Sequence, residues 1–249
     1  MRVLAIETTG AVGSFAIVRG PAAGPGPGAG DETGPEIVAE TNRDILGRHV
    51  EMSVDIVREV LDEAVVRLED LDGLAVSLGP GSFTGLRVGL GIAKGLCVGA
   101  GLPLAGVPTL DCLARPLAGR GGMVATARDA RRGEIYCSLY RPGQGGLERL
   151  TAYMSLAPED LIEEIQAMRG TPGERVTLVG DAIATYGDIL LRMPGEVDFA
   201  PEDMWNVKAS VVGAVGLEHL ASGLVLDMDS AEPIYVRPSE AERMRKGLK

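Results

Sequence analysis

The sequence predicts an α/β fold made of two similar halves, each built around a mixed β-sheet. Three strands followed by alternating helices and strands occur roughly twice along the chain, without a readable sequence repeat. This order of elements is typical of a duplicated α/β architecture with mixed sheets. The chain has 249 residues, 45% of them hydrophobic, which suits one domain of unusual size or two smaller ones.

The first half begins with a predicted hairpin. Residues 3–8 (VLAIET) and 13–18 (GSFAIV) form β-rich runs that a glycine turn joins. Residues 20–35 are rich in glycine and proline and contain no large apolar side chain, so they bury too little surface to offset the entropy of ordering. We interpret them as a long flexible loop, after which EIVAET begins a third strand.

Two helices and two more strands complete the first half. A helix is predicted over residues 46–68, and DGLAVSL (72–78) is a fourth strand. A second helix covers residues 82–99, and LPLAGV (102–107) is a fifth strand. We place the end of this half at residue 105.

The second half spans residues 106–206 and repeats the order of elements. Its predicted helices are LDCLARPLA, APEDLIEEIQAMRG and DAIATYGDILLRM, the last with Asp181 as its N-cap. Its predicted strands are two within MVATARDARRGEIYCSLYR, around a polar turn, then LERLTAYM and RVTLVG. A final helix at 207–223 is expected to pack back on the first half.

Composition excludes some classes of function and favours one compartment. The net charge is −11 and the isoelectric point about 4.8, so the surface repels nucleic-acid backbones unless it hides a basic patch. Cys97, Cys112 and Cys137 are far apart, without CxxC spacing, as expected in a reducing compartment. The apolar run at the N-terminus is broken at Glu7, so no signal peptide is predicted. We expect a cytoplasmic protein.

The glycine-rich segment from Gly79 to Gly99 allows three interpretations. It fits neither GxxxxGK[ST] nor GxGxxG, although an anion could bind at the helix N-terminus if Ser82 and Thr84 do not cap it. A membrane span would have to contain Arg87 and Lys94. In the third interpretation the glycines lie against a neighbouring helix or sheet.

We favour the third interpretation, because it explains why glycines recur at four-residue intervals in a predicted helix. Each interior glycine costs a helix roughly 1 kcal/mol relative to alanine, so a compensating close contact is expected. The neighbour could belong to this chain or to a partner. The pairs with this spacing are Gly85 with Gly89, and Gly91 with Gly95 and Gly99.

The helix at 46–68 favours a partner, because its apolar surface covers over half of its circumference. One stripe is wide enough to face a core; it contains Leu46, Val50, Val54, Val57, Leu61, Ala64, Val65 and Leu68. A second stripe lies beside it and contains His49, Met52, Ile56 and Val60. We assign the first stripe to the core and the second to a partner, with deeper burial in this chain as the alternative.

Catalytic signatures are few. His49 and His219 have no partner at metal-ligand spacing, and the sequence contains no GxSxG. IETTG, with Glu7, resembles the first phosphate loop of the actin, hexokinase and Hsp70 superfamily, where the acid is usually Asp and helps to hold Mg²⁺. Arg131 and Arg132 could grip a carboxylate or phosphate, or belong to a charged turn. We expect no catalytic residue, cofactor or metal site.

Four motifs resemble the bacterial TsaB family, formerly YeaZ. They are GPGSFTGLRVGLGIAKGL (79–96), GVPTLDCLA (106–114), DARRGEIY (129–136) and AEPIYVR (231–237), and they occur in this order. The resemblance covers nearly the whole chain. It implies two ribonuclease-H-like subdomains of the actin, hexokinase and Hsp70 superfamily. Two features depart from the family pattern: the long loop at 20–35, and Glu7 in place of Asp.

The resemblance also implies a function and partners. The family helps to make threonylcarbamoyladenosine at position 37 of tRNAs that read ANN codons, as the non-catalytic partner of the paralogue TsaD and together with the ATPase TsaE. The helices at 46–68 and 82–99 would contact TsaD in a four-helix bundle, or a second copy when the chain is alone. We therefore predict a partner interface with tRNA reached only through the complex, and no membrane contact. Its residues are His49, Met52, Ile56, Val60, Gly85, Gly89, Gly91 and Lys94.

Two other functions remain open from the sequence. The chain could be a lone ATP- or metal-dependent enzyme, kinase-like or similar to M22 peptidases. It could also bind tRNA directly through a basic tail. That tail contains Arg237, Arg243, Arg245, Lys246 and Lys249.

Overall fold

The computed structural model describes residues 1–20, 34–143, 146–171 and 173–237. The predicted loop at 20–35 lies almost entirely outside these residues. So does the basic tail beyond Arg237.

The chain forms two compact units, and each is an α/β sandwich with its own mixed sheet. The first unit consists of Met1–Thr109 and Val207–Pro233. The second consists of Leu110–Asn206 and the segment that starts at Ile234. The chain thus leaves the first unit after Thr109 and returns to it at Val207.

The first unit has a five-stranded sheet in the order β3-β2-β1-β4-β5. β1 pairs antiparallel with β2 and parallel with β4, while β3 and β5 form the edges. The strands are β1 (Arg2–Glu7), β2 (Val12–Arg19), β3 (Glu36–Asp44), β4 (Gly73–Gly79) and β5 (Leu104–Pro108). The helices are α1 (His49–Glu63), α2 (Phe83–Ala100) and α6 (Ala209–Ala221).

Helices cover both faces of this sheet. A methyl group at Gly216 of α6 would lie 2.3 Å from Cβ of Ala75. One at Gly89 of α2 would lie 3.7 Å from Cγ2 of Ile6, which pairs with Val76 and so points to the opposite face from Ala75. β1 and β4 are therefore buried on both sides, and this explains their nearly continuous apolar sequences.

The second unit repeats the connectivity of the first. Its sheet has the order β11-β10-β6-β7-β8, with β9 also paired to β7. As in the first unit, two antiparallel pairings are followed by two parallel ones. The elements are α3 (Thr109–Ala114), β6 (Met123–Arg131), β7 (Glu134–Gly143), β8 (Gly146–Arg149), β9 (Met154–Leu156), α4 (Pro158–Met168), β10 (Val176–Val179), α5 (Ile183–Leu190) and β11 (Val197–Phe199).

Three local predictions for the second unit need correction. LERLTAYM forms two short strands, β8 and β9, instead of one, and the sequence analysis missed β11. Asp181 does not cap α5, because its Oδ1 accepts a hydrogen bond from the backbone N–H of Asp129 at 2.9 Å. The Asp181 carboxylate thus accepts a hydrogen bond from β6 instead of from the free N–H groups at the start of α5.

The helix predicted over residues 46–68 is shorter in the structure. It starts at His49 because Gly47 has φ 76° and the backbone N–H of Leu46 bonds to Oδ1 of Asp44, which makes a turn. It ends after Glu63, where Val65 adopts φ 53° and Val66 donates a backbone hydrogen bond to Leu61. These features form a Schellman motif, which ends a helix whatever the apolar periodicity beyond it.

Candidate partner interface

The structure changes the assignment of several residues on the two predicted stripes of α1, while Val57 is buried as predicted. Ile56 is 1% exposed and Val60 is fully buried, although both were assigned to a partner. Val50 is 66% exposed and Val54 49%, although both were assigned to the core. Only Met52 among the predicted contact residues of this helix keeps intermediate exposure. Burial removes His49, Ile56 and Val60 from any surface that a partner could touch.

The inward face of α1 also contains two polar residues, His49 and Ser53. Ser53 is buried and its hydroxyl donates to the carbonyl of His49. Nε2 of the buried His49 lies 3.4 Å from the carbonyl of Gly10. Both polar side chains therefore have a hydrogen-bond acceptor although they are buried. This allows them to lie on the inward face of α1, where hydrophobicity alone predicts apolar residues such as valine.

The glycines of α2 divide into two groups. Gly85 and Gly89 are buried against the turn between β1 and β2. Gly91, Gly95 and Gly99 are exposed, and a methyl group at any of them would meet nothing within 4 Å. Of the predicted contact glycines, Gly91 alone is therefore accessible, while Gly85 and Gly89 contact this chain.

Lys94 is also engaged within the chain. Its Nζ donates to the carbonyl of Ala231 at 2.8 Å and so holds the segment that follows α6 against α2. The ammonium group has two further donors. The contact of Lys94 with a partner therefore stays a prediction.

The exposed residues of the two helices form what we call the α1–α2 face. The two helices cover the same side of the first sheet and contact each other. Only 33% of the apolar helix α2 is buried inside the chain, although its length and composition suffice for a membrane span. The face consists of Leu46, Val50, Val54, Phe83, Gly91, Gly95, Val98 and Gly99. It offers apolar side chains on both helices and exposed glycines on α2, which suits the close approach of further helices.

The β1–β2 turn contains the buried acid that the sequence analysis singled out. Glu7 is 1% exposed, and its Oε1 accepts hydrogen bonds from the backbone N–H, at 2.6 Å, and from the hydroxyl of Thr9. Its Oε2 has no partner among the described residues, nor does Oγ of Ser77. Over the same residues no three His, Cys, Asp or Glu side chains cluster as metal ligands would.

Comparison with known proteins identifies the family. The family model described as tRNA N6-adenosine threonylcarbamoyltransferase, TsaD, matches residues 43–242. The tRNA threonylcarbamoyladenosine biosynthesis protein TsaB of Escherichia coli is 34% identical over 210 residues, which cover 80% of this chain and 85% of that protein. The chain belongs to the TsaB family. The resemblance noted from the four motifs is thereby confirmed.

A second TsaB relative and a solved structure extend the match to nearly the whole chain. TsaB of Bacillus subtilis is 26% identical over 243 residues, covering 97% of this chain and 96% of that one. YeaZ from Pseudomonas aeruginosa superposes with a TM-score of 0.70 at 24% identity, covering 94% and 99%. The predicted α/β fold with two mixed sheets is confirmed, and it is the fold of the TsaB family.

The DARRGEIY motif of this TsaB-family chain forms the hairpin between β6 and β7. Arg131, Arg132 and Gly133 all have positive φ, and they make the tight turn. Arg131 pairs with Asp129 at 3.1 Å, and Glu134 accepts from Arg237 at 2.7 Å. The guanidinium of Arg237 also donates to the carbonyl of Ala130. The motif thus ties the AEPIYVR segment to the second unit, a role that the sequence analysis did not foresee.

A further TsaB motif, GVPTLDCLA, supplies a polar cluster that the sequence analysis also missed. Oδ1 and Oδ2 of Asp111 accept hydrogen bonds from the hydroxyls of Tyr140 and Tyr153, each at 2.8 Å. Arg149 lies 3.5 Å from Oδ2 and stacks on the ring of Tyr153. Burial, followed by the charge of Asp111, raises the pKa of both tyrosines. No local pattern announces this cluster, because its members come from three elements.

Proposed function

We propose that this chain is a non-catalytic scaffold subunit in the synthesis of threonylcarbamoyladenosine in tRNA. In this proposal it activates a TsaD paralogue and, with the ATPase TsaE, supports transfer of the threonylcarbamoyl group to N6 of adenosine 37 in ANN-decoding tRNAs. The observation that carries the proposal is the α1–α2 face, whose apolar residues stay exposed in the part of the chain that the structure describes. Family membership supplies the pathway.

The proposed contact is a four-helix bundle. The TsaD family model matches residues 43–242, which include both α1 and α2, so a TsaD paralogue is expected to present an equivalent helix pair. Exposed glycines at 91, 95 and 99 would let a partner helix approach the backbone of α2 closely, while Val50 and Val54 supply apolar contact. The same face would pair two copies of this chain in the absence of TsaD.

A scaffold role is also supported by the way polar groups are used. In the described residues, Oε1 of Glu7 accepts hydrogen bonds within the chain and Arg131 of the DARRGEIY hairpin pairs with Asp129. The net charge of −11 disfavours direct tRNA binding, so tRNA would be reached through the complex. We place this complex in the cytoplasm.

A charge placed on the α1–α2 face tests the proposal. The chain is mixed with the TsaD paralogue of the same organism at micromolar concentration, and mass is measured by light scattering. We expect Val54→Asp to weaken the complex by at least about 100-fold, since a carboxylate would be buried without a partner. The matched control is Leu191→Asp, which adds the same charge at an exposed apolar residue of the second unit.

Two results would contradict the proposal. One is the absence of any complex between the unmodified chain and TsaD. The other is equal loss of binding in Val54→Asp and Leu191→Asp, which would make the effect one of net charge. ATP hydrolysis or metal-dependent proteolysis by the purified chain alone would favour the lone-enzyme alternative.

A further inference from the structure

The turn between β1 and β2 contacts both helices of the α1–α2 face. The hydroxyl of Thr8 donates to the carbonyl of Gly85 at 2.7 Å, and the carbonyl of Thr9 accepts from the backbone N–H of Ser82 at 2.8 Å. On the other side, the carbonyl of Gly10 faces the ring of His49, the first residue of α1. Three consecutive residues thus join the N-terminal ends of both helices.

The turn and α2 are as close as backbones can be. A methyl group at Gly85 would lie 1.9 Å from the carbonyl oxygen of Thr8 and 3.3 Å from the ring of His49. One at Gly89 would lie 2.3 Å from Oγ1 of Thr8. A larger residue at Gly85 therefore collides with the backbone of the turn, and one at Gly89 has to displace either α2 or the side chain of Thr8 together with its hydrogen bond.

The turn itself has little freedom to move. Glu7 holds both the backbone N–H and the hydroxyl of Thr9, and Thr8 and Thr9 are each 2% exposed. This turn follows β1, which is the central strand of the first sheet and is almost entirely buried. It is a suitable reference point for placing two surface helices.

We propose that Thr8 and Gly89 are positioning residues for partner recognition: they set the place of α2 beside α1, and hence the shape of the α1–α2 face. This inference rests on the proposed function. A partner that contacts two helices at once requires a particular distance and rotation between them. A shift of α2 therefore lowers the affinity for the partner, although Thr8 and Gly89 are both buried and do not contact it.

The first test removes one hydroxyl. In Thr8→Val the hydrogen bond to Gly85 is lost at constant volume, and we expect the Kd for TsaD, measured by calorimetry, to rise about tenfold. Thr8→Ser keeps the hydroxyl and is expected to bind within about threefold of the unmodified chain. The matched control is Thr126→Val, which removes an equally buried hydroxyl that bonds to Ser138 in the second unit. It should lower stability and leave the Kd unchanged.

The second test is a double-mutant cycle. Gly89→Ala should weaken binding through the collision with Oγ1 of Thr8. In the double variant Thr8→Ala with Gly89→Ala that oxygen is absent, so binding should recover relative to the sum of the single effects. If Gly89→Ala does not fold, the comparison of Thr8→Val with Thr8→Ser decides alone.

The outcomes separate this inference from the proposed function. If the unmodified chain does not bind TsaD, the proposed function fails. Hydrogen exchange of the α2 amides then tests the positioning role by itself: faster exchange in Thr8→Val but not in Thr8→Ser supports it, and equal exchange overturns it. If the unmodified chain binds and folded Thr8→Val binds equally well, the positioning role is wrong and the proposed function stands.

Discussion

At the scale of single residues, Val65 carries an unusual backbone conformation. It has φ 53° at the end of α1, in a region that costs an L-residue roughly 1–2 kcal/mol and a β-branched one more than most. The side chain of Val65 is 90% exposed, so its packing contributes little free energy to offset this backbone strain. The Schellman motif that it completes ends α1 and directs the chain toward β4.

Replacing Val65 by glycine is expected to stabilise the chain. Val65→Gly relieves the left-handed conformation and should raise the free energy of unfolding by about 1 kcal/mol. Denaturant unfolding at constant m-value measures this change. Val98→Gly is the control: Val98 is also exposed but lies within α2, where glycine should lower stability by about 0.5 kcal/mol. A loss of stability in Val65→Gly would contradict the strain argument.

At the scale of elements, α2 uses its glycines in two different ways. The buried pair at 85 and 89 brings the helix against the β1–β2 turn, whereas Gly91, Gly95 and Gly99 have open space beside them. The exposed set weakens the helix, and within the described residues it brings no closer packing in exchange. Close contact between a partner helix and the backbone of α2 would explain why glycine is present at these three positions.

Gly95→Ala is therefore expected to change stability and binding in opposite directions. Alanine should raise the free energy of unfolding by about 1 kcal/mol, because it favours the helix and meets no neighbour. The added methyl group should weaken TsaD binding about tenfold by keeping the partner helix at a distance. Gly89→Ala, by contrast, should lower both stability and binding. Thermal unfolding and calorimetry on the same variants check the signs, and unchanged binding in Gly95→Ala would remove this glycine from the interface.

At the scale of the whole molecule, the acidic charge and the buried tyrosines limit stability at high pH. Tyr140 and Tyr153 have pKa values raised by burial and by Asp111, and burial raises the pKa of Cys97 to about 11 and of Cys137 to about 12. The folded chain thus retains protons that the unfolded chain releases. Stability from these groups is complete below their unfolded pKa values and falls as pH rises above them.

We expect the free energy of unfolding to decrease as pH rises above about 9, where unfolded cysteines and then tyrosines begin to ionise. Denaturant unfolding at a series of pH values measures the slope. Tyr153→Phe removes one of the groups and should make the decrease shallower at the alkaline end, while Tyr235→Phe, at an exposed tyrosine, should not. A slope that is equal in all three proteins would contradict the role of the Asp111 cluster.

The local patterns of the sequence were sufficient for most of the fold. Alternation and turn residues identified β1, β2, β6 and β7, and the N-cap Ser82 with Gly101 after the last turn bounds α2 close to the predicted 82–99. Short edge strands such as β11 were missed, because three residues carry too little pattern. The ends of α1 were misplaced, because its apolar periodicity continues into the turns on both sides.

The candidate interface depended on a choice that periodicity could not make. Two apolar stripes lie side by side on α1, and periodicity alone does not show which of them faces the sheet. In the structure the buried side of α1 takes Ile56 and Val60 from one stripe and Val57 from the other, beside the buried His49. The contact between Thr8 and Gly85 joins residues 77 positions apart, so no window of sequence contains it.

The sequence by itself determined that two mixed-sheet units would form, that the chain resembles TsaB, and that α1 and α2 carry more apolar and close-approach surface than a helix needs. These properties follow from local periodicity and motif, which act over a few residues. Only the tertiary structure decided which side of each helix remains exposed. That choice depends on hydrogen bonds and backbone contacts between distant segments, and their energies exist only once the sheet has brought those segments together.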